Sequence, residues 1–300
     1  MSKLSTKNLI LGTAQLGAPY GLGQWRDDTM PEQVALGILD LAAKYGIGAF
    51  DTSPDYGSAE QRLHSFISES SSDSFTIFTK IKLVPDVEDK NSWESVKSRL
   101  LTLKNNKACD NLYLLLHDER DLSRQYVVRA LRALVSDGFM DGWGVSVYSQ
   151  EAARKAVEVQ GCKIVQLPIS LFNQSFIRSG VVEMLSNARV EIIARSVFVQ
   201  GVLLSRRQPT RSLDRSQIVL LEEIEEFAEY NRMSVAQVMV CTVLGMSGVG
   251  KVVFGVDNNA QLAQICDRFD APNITPLPQD LIDRLAQQDC NFFRPETWKT

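Results

Sequence analysis

Phe75-Thr76-Ile77-Phe78-Thr79-Lys80-Ile81 and Leu112-Tyr113-Leu114-Leu115-Leu116-His117 are short, largely apolar runs, and Trp93 to Leu103 between them carries a helical pattern. Runs of this kind alternating with amphipathic helices indicate a parallel sheet covered on its outer face. The alternation extends upstream to strands at Asn8 to Leu11 and Ile47 to Asp51. A helix follows Thr29 and Glu32, which fit a capping box with Pro31 in the first turn. Val34, Ile38, Leu41, Ala42 and Tyr45 mark one face of that helix and Gly46 ends it, and a second helix is expected from about Gly57 to Ser68. Downstream come a helix from Leu122 to Val135 stopped by Gly138, a strand from Gly142 to Val147, a helix from Gln150 to Val159 and a strand from Lys163 to Leu167. A short helix near Val181, a strand from Val190 to Ala194, helices from Gln217 to Tyr230 and Val235 to Leu244, a strand from Lys251 to Phe254 and a helix from Asn259 complete the series. Eight such units predict an α/β fold of the (β/α)8 TIM-barrel type, read as a single domain over residues 1–300. An open doubly wound sheet is the alternative, disfavoured because no Gly-x-Gly-x-x-Gly joins the first strand to its helix.

Composition narrows the function classes. A net charge of −4 over 300 residues offers no basic footprint for nucleic acid. The N-terminus lacks the long apolar core of a signal peptide and no later apolar run reaches membrane-spanning length, so a cytoplasmic protein without a membrane partner is expected. Cys109, Cys162, Cys241, Cys266 and Cys290 are dispersed and read as reduced structural thiols. The only histidines are His64, read as a surface residue, and His117, too few for a His-rich metal centre, and no metal is expected.

A barrel of this type holds ligands at the C-terminal ends of its strands. Asp51 ends the second strand, Tyr56 stands in the loop after it, Lys80 ends the third strand and His117 the fourth. A phenol is a poor proton donor at neutral pH until a cation favours its anion, and Lys80 can do that, held charged by Asp51. His117 can polarise a carbonyl oxygen or relay a proton to Tyr56. Such a set suits protonation of an oxygen that becomes an alkoxide as hydride reaches its carbon, and hydride requires a nicotinamide cofactor because no side chain supplies it. Taken singly, each residue also fits a bland role: a loop cap, a helix-start aromatic, a solvated strand end, a core histidine.

Gly12-Thr13-Ala14, Phe50-Asp51-Thr52-Ser53 with Tyr56-Gly57-Ser58-Ala59-Glu60, Thr79-Lys80 and Leu115-Leu116-His117-Asp118 resemble successive motifs of the aldo-keto reductase superfamily, over nearly the whole chain. The resemblance implies Tyr56 as general acid/base, Lys80 and Asp51 as its tuning pair and His117 as the group orienting the carbonyl. It implies that Ser146 and Gln166 hold the nicotinamide carboxamide and that Asp51 also faces the nicotinamide ribose. Ser196 and Gly201 are similar to the pyrophosphate-side loop, and Gly255, Val256, Asp257 and Gln261 to the adenosine-phosphate segment, where amides opening a helix suit an anion. The chain departs from the family at Val147, where an Asn often stands, and at Arg195, where many members stack a Tyr on nicotinamide. Arg195 can stack, touch pyrophosphate or bind a substrate carboxylate. Asp257 stands where many NADP-dependent members have Arg; a carboxylate repels a 2′-phosphate but accepts from a free 2′-hydroxyl.

The sequence therefore reads as a carbonyl reductase using NADP or NAD, acting on a small-molecule aldehyde or ketone, a sugar or sugar derivative being one such substrate. An NAD-dependent aldose dehydrogenase and a non-catalytic nicotinamide-nucleotide sensor are the alternatives, and monomer and dimer stay open. Tyr20, Trp25, Arg26, Arg120, Tyr148 and Phe198 fall in loops at the same end of the barrel and are candidates for shaping the substrate pocket.

Overall fold

Eight parallel strands close on themselves in sequence order in the computed structural model, which describes residues 4–70, 74–83, 90–205, 214–271 and 274–287. Each strand of the barrel pairs with the next, and β1 (Leu9–Gly12) pairs with β8 (Lys251–Phe254) to complete the cylinder. Between them run β2 (Ala49–Asp51), β3 (Phe75–Ile81), β4 (Cys109–Leu116), β5 (Gly142–Ser146), β6 (Cys162–Pro168) and β7 (Glu191–Arg195). The helices α1 (Glu32–Lys44), α2 (Ala59–Glu69), α3 (Lys90–Lys104), α4 (Gln125–Ser136) and α5 (Gln150–Glu158) follow the first five strands in turn. Two short helices, α6 (Ser175–Arg178) and α7 (Val181–Asn187), follow β6. Then α8 (Val202–Ser205), α9 (Arg215–Tyr230) and α10 (Val235–Gly245) separate β7 from β8, and α11 (Asn259–Cys266) and α12 (Gln279–Ala286) end the described chain.

Side chains alternate across a strand with a period of two, and this divides the core in two. Outward positions such as Phe50, Ile77, Leu114 and Val165 join the large cluster between sheet and helices. Inward positions Ile10, Ala49, Phe78, Leu115, Ile164 and Ile193 form a separate plug inside the barrel. The inward residues next along those strands are Gly12, Asp51, Lys80, His117, Gln166 and Arg195. An apolar floor thus carries a layer of polar groups at the C-terminal mouth, the end where such barrels bind ligands.

Local signals explain the boundaries, and several differ from the sequence expectation. The Thr29/Glu32 capping box does not form: α1 begins at Glu32 with Pro31 at its N-cap and no side-chain cap. Pro31 disfavours helical geometry at Met30, so the first turn cannot start earlier. The fully buried stripe of α1 is Ala35, Ile38, Leu39 and Ala42, with Val34, Leu41 and Tyr45 on its flanks. The helix expected from Leu122 to Val135 is two elements, a 3-10 segment Glu119–Ser123 and α4, parted at the extended Arg124. Helices α8 and α12 are additional, the latter packing Leu281, Ile282 and Leu285 inward. His64 is half-buried rather than fully exposed. Cys109, Cys162, Cys241 and Cys266 are buried free thiols, and Cys290 lies outside the described residues.

Candidate active site

Asp51 and Lys80 form a buried ion pair, with Lys80 Nζ donating to Asp51 Oδ1 at 2.5 Å and to the Thr52 carbonyl at 3.2 Å. The second carboxylate oxygen of Asp51 accepts from Gln166 Nε2 at 2.6 Å, so both of its oxygens are committed. Burial alone would push the Lys80 ammonium towards neutrality, but Asp51 and Tyr56 outweigh it and hold Lys80 above the usual lysine range. Lys80 Nζ lies 5.0 Å from the centre of the Tyr56 ring. Its charge and hydrogen bond pull the Tyr56 phenol down, yet burial outweighs them and the phenol ends above its ordinary value. Lys80 thus acts on the phenol in the expected direction, while burial works against it. His117 stands edge-on to Tyr56, ring centres 6.3 Å apart. Burial, then the Lys80 charge, hold the imidazole below its usual range, with Asp55 opposing them.

Close backbone packing fixes the loop that carries Tyr56. A Cβ on Gly17 would lie 2.0 Å from the Ala59 nitrogen and 2.3 Å from the Tyr56 carbonyl oxygen. Gly57, at φ +57°, meets Gly17 from the other side, and the Ser58 amide donates to the Gly17 carbonyl at 3.2 Å. Arg62 reaches from α2 to the Leu16 carbonyl and, at 2.7 Å, to that of Met30. Behind Lys80, Arg99 of α3 donates to both Glu60 oxygens, to Thr79 Oγ1 and, at 2.9 Å, to the Lys80 carbonyl. Thr13 donates from backbone and side chain to the Asp51 carbonyl, at 2.9 and 3.1 Å.

The opposite wall comes from β5 to β8. Ser146 and Gln166 are register partners on adjacent strands. Ser146 Oγ accepts from Arg195 Nε at 3.1 Å, which leaves its hydroxyl proton to donate. Gln166 donates to Asp51, which leaves its carbonyl oxygen to accept. One donor and one acceptor side by side match a primary carboxamide, so these residues fit a nicotinamide. Arg195 also donates to Ser196 Oγ at 3.2 Å and to the Val147 carbonyl at 3.1 Å, and its guanidinium stacks on Tyr148 at 4.2 Å. Three of its donor nitrogens are therefore engaged within the protein.

These groups share one cavity of about 470 Å³. Its lining takes in the Asp51, Tyr56, Lys80 and His117 set, the Ser146, Gln166, Arg195 and Ser196 wall, and Gly12, Ala14, Gly201, Gly255, Asp257 and Gln261. Thr13 and Val256 do not reach it: both are buried, and Thr13 instead holds the end of β2. Of the loop candidates, Tyr20, Tyr148 and Phe198 line the cavity, whereas Trp25, Arg26 and Arg120 do not. Ser196, Gln200 and Gly201 in its lining all have positive φ, as does the buried Val199 between them. Sequence reasoning gave no role to Asp55, which sits 3.3 Å from His117 Nδ1, nor to Gln15 and Gln200, which line the cavity.

In the segment expected to face the adenosine phosphate, side chains occupy the backbone amides. Asp257 is buried and accepts from the Gln24 amide at 3.1 Å, while its carbonyl accepts from Trp25 Nε1 at 2.8 Å. Its own amide donates to Gln261 Oε1 at 2.7 Å, and the Gln261 amide donates to the Asn258 cap at 3.0 Å. The Asp257 and Gln261 amides at the start of α11 are thus satisfied by protein side chains and do not fit a bound phosphate. Asp257 Oδ1 is buried and has no hydrogen-bond partner among the described residues.

The model of the aldo/keto reductase family matches residues 8–288. The chain is 23% identical over 211 residues to "Probable pyridoxal reductase 2" of Schizosaccharomyces pombe, a match spanning 65% of this chain and 63% of that protein. It is 25% identical over 293 residues to D-arabinose 1-dehydrogenase of Saccharomyces cerevisiae, covering 89% of this chain and 84% of that one. Among solved structures it resembles a glycerol dehydrogenase from Gluconobacter oxydans (TM-score 0.71, 19% identity, 97% and 93% of the two chains). It also resembles a thermostable aldo-keto reductase in complex with the inhibitor epalrestat (TM-score 0.69, 19% identity, 93% of each chain). The chain belongs to the aldo/keto reductase family and is an NAD(P)-dependent oxidoreductase.

Proposed function

We propose that this protein reduces a small aldehyde or ketone, with Tyr56 as the proton donor. The observation that carries the reading is the convergence of Tyr56, the Asp51–Lys80 pair and His117 on one cavity whose other wall fits a carboxamide. When bound, the nicotinamide supplies the hydride. Ser146 and Gln166 would hold its carboxamide, the first as donor and the second as acceptor, with Arg195 aligning Ser146. As the carbonyl carbon gains hydride, the π electrons move to oxygen and the Tyr56 phenol transfers its proton there. The phenolate left behind is stabilised by Lys80, whose charge Asp51 maintains. His117 orients the substrate oxygen. One carbonyl compound, one hydride and one proton give one alcohol.

Tyr20 and Tyr148 add phenols to the cavity beside Phe198, a mixed lining suited to a small polyhydroxylated carbonyl compound. The likeness to D-arabinose 1-dehydrogenase and to a glycerol dehydrogenase supports the same class. A second reading, an NAD-dependent aldose dehydrogenase working oxidatively, is favoured by Asp257, a carboxylate in the cavity lining that repels a 2′-phosphate and not a free ribose 2′-hydroxyl. A cytoplasmic setting is in keeping with the buried free thiols. The test is oxidation of NADH and NADPH by the purified protein over a panel of small aldehydes, ketones and aldoses, with the reverse assay on the matching alcohols and sugars. Turnover of a hydroxylated carbonyl compound is expected. Turnover only with aldose and NAD would move the assignment to the dehydrogenase, and none in either direction would leave a nucleotide-binding sensor.

A further inference from the structure

Asp55, next to the proton donor in sequence, places Oδ2 3.3 Å from His117 Nδ1. A carboxylate only accepts hydrogen bonds, so Nδ1 must carry the proton in this pair. A neutral imidazole has a single N–H. With that proton on Nδ1, Nε2 is a lone pair; it makes no hydrogen bond among the described residues, and His117 lines the cavity. A carbonyl oxygen is itself an acceptor and gains nothing from a lone pair. The ring is held in place by the Tyr56 edge contact and by the His117 amide, which donates to the Ile81 carbonyl at 2.9 Å.

From this geometry, and resting on the reading of the cavity as a carbonyl-reducing site, we infer that Asp55 is a positioning residue that makes donation from His117 Nε2 to the substrate oxygen conditional on protonation of the ring. The imidazolium donates from both nitrogens, one to Asp55 and one to the carbonyl; the neutral ring, locked by Asp55, cannot. The titratable groups around His117 are Asp55 and the neutral Tyr56 from the loop after β2, Asp51 from the end of β2 and Lys80 from β3. Asp118 and Glu119 on its own loop are committed elsewhere, to Arg120 and to the Tyr148 and Ser149 amides. Burial, then the Lys80 charge, disfavour the imidazolium more than Asp55 and Asp51 favour it, so the switch falls below the ordinary histidine range.

Two measurements on Asp55→Val test this, one of them independent of activity. Long-range nitrogen–proton correlations on histidine-labelled protein report the tautomer, with His64→Gln giving the assignment. The unmodified protein should show neutral His117 protonated on Nδ1, and Asp55→Val should shift it to Nε2. For kcat/KM in reduction, the unmodified protein should lose about tenfold per pH unit above the His117 titration, down to a plateau set by Tyr56 alone. In Asp55→Val the Nε2–H tautomer serves at all pH values and this limb should flatten. An Nε2–H tautomer in the unmodified protein, or superimposable pH profiles, would overturn the inference. Absence of any reductase activity would overturn the proposed function, while the tautomer measurement would still decide the role of Asp55 on the ring.

Discussion

The Asp51–Lys80 pair is where the strongest electrostatic demand falls on single residues. Both side chains are nearly inaccessible, at 7% and 3% exposure, so removing one partner leaves a charge in a medium that cannot solvate it. Asp51→Asn should cost roughly 3–5 kcal/mol of stability by chemical denaturation, the range found for breaking a buried pair from one side. The pH dependence follows from the direction of the Lys80 shift. Its pKa in the folded protein lies above the unfolded value of 10.5, so the pair stabilises the fold fully below 10.5 and ceases to as pH rises through the folded value. The unmodified protein should therefore lose stability in an alkaline transition above 10.5. Asp51→Asn removes the largest upward influence on Lys80 and should move that loss to lower pH; coincident transitions would contradict the assigned pairing.

At the level of elements, the position of Tyr56 depends on two loops pressed together at Gly17 and Gly57. Gly17→Ala places a methyl group against main-chain atoms of residues 56 and 59, which cannot give way as a side-chain end can. The variant should lose about 1–3 kcal/mol in thermal or denaturant unfolding, the usual cost of overpacking, and should lose kcat as Tyr56 is displaced. Unchanged kcat with unchanged stability would mean that the loop adjusts freely. The order of strands and helices was legible in the sequence because each strand is a short apolar run set between helical patterns, and three of the runs lead into distinctive residues: Asp51, Lys80 and His117. Which face of each strand turns inward was not, since residues such as Phe50 and Phe78 are equally apolar although one faces helices and the other fills the barrel. The polar layer above Ile10, Ala49, Phe78, Leu115, Ile164 and Ile193 emerges only when the period of two is set in register across all strands. Contacts between distant loops were equally hidden: nothing in the sequence shows that the Asp257 carboxylate accepts from the Gln24 amide and its carbonyl from the Trp25 indole, more than two hundred residues earlier.

For the whole molecule, the cofactor is the test of how these parts act together. A bound nucleotide stabilises the fold according to its affinity, by about 2.7 kcal/mol at a hundredfold excess over Kd. With Asp257 at the adenosine end and its neighbouring amides occupied, NADH should raise the unfolding temperature more than NADPH at equal concentration. Larger stabilisation by NADPH would mean that the phosphate is held by groups other than these. The central claim, that Tyr56 delivers the proton as hydride arrives, is tested most directly by single-turnover reduction of a carbonyl substrate with pre-bound reduced cofactor, comparing the unmodified protein with Tyr56→Phe. The variant should bind cofactor with nearly unchanged Kd and transfer hydride slower by about 10²–10⁴-fold, the usual contribution of a positioned general acid; hydride transfer at the unmodified rate would contradict the assignment.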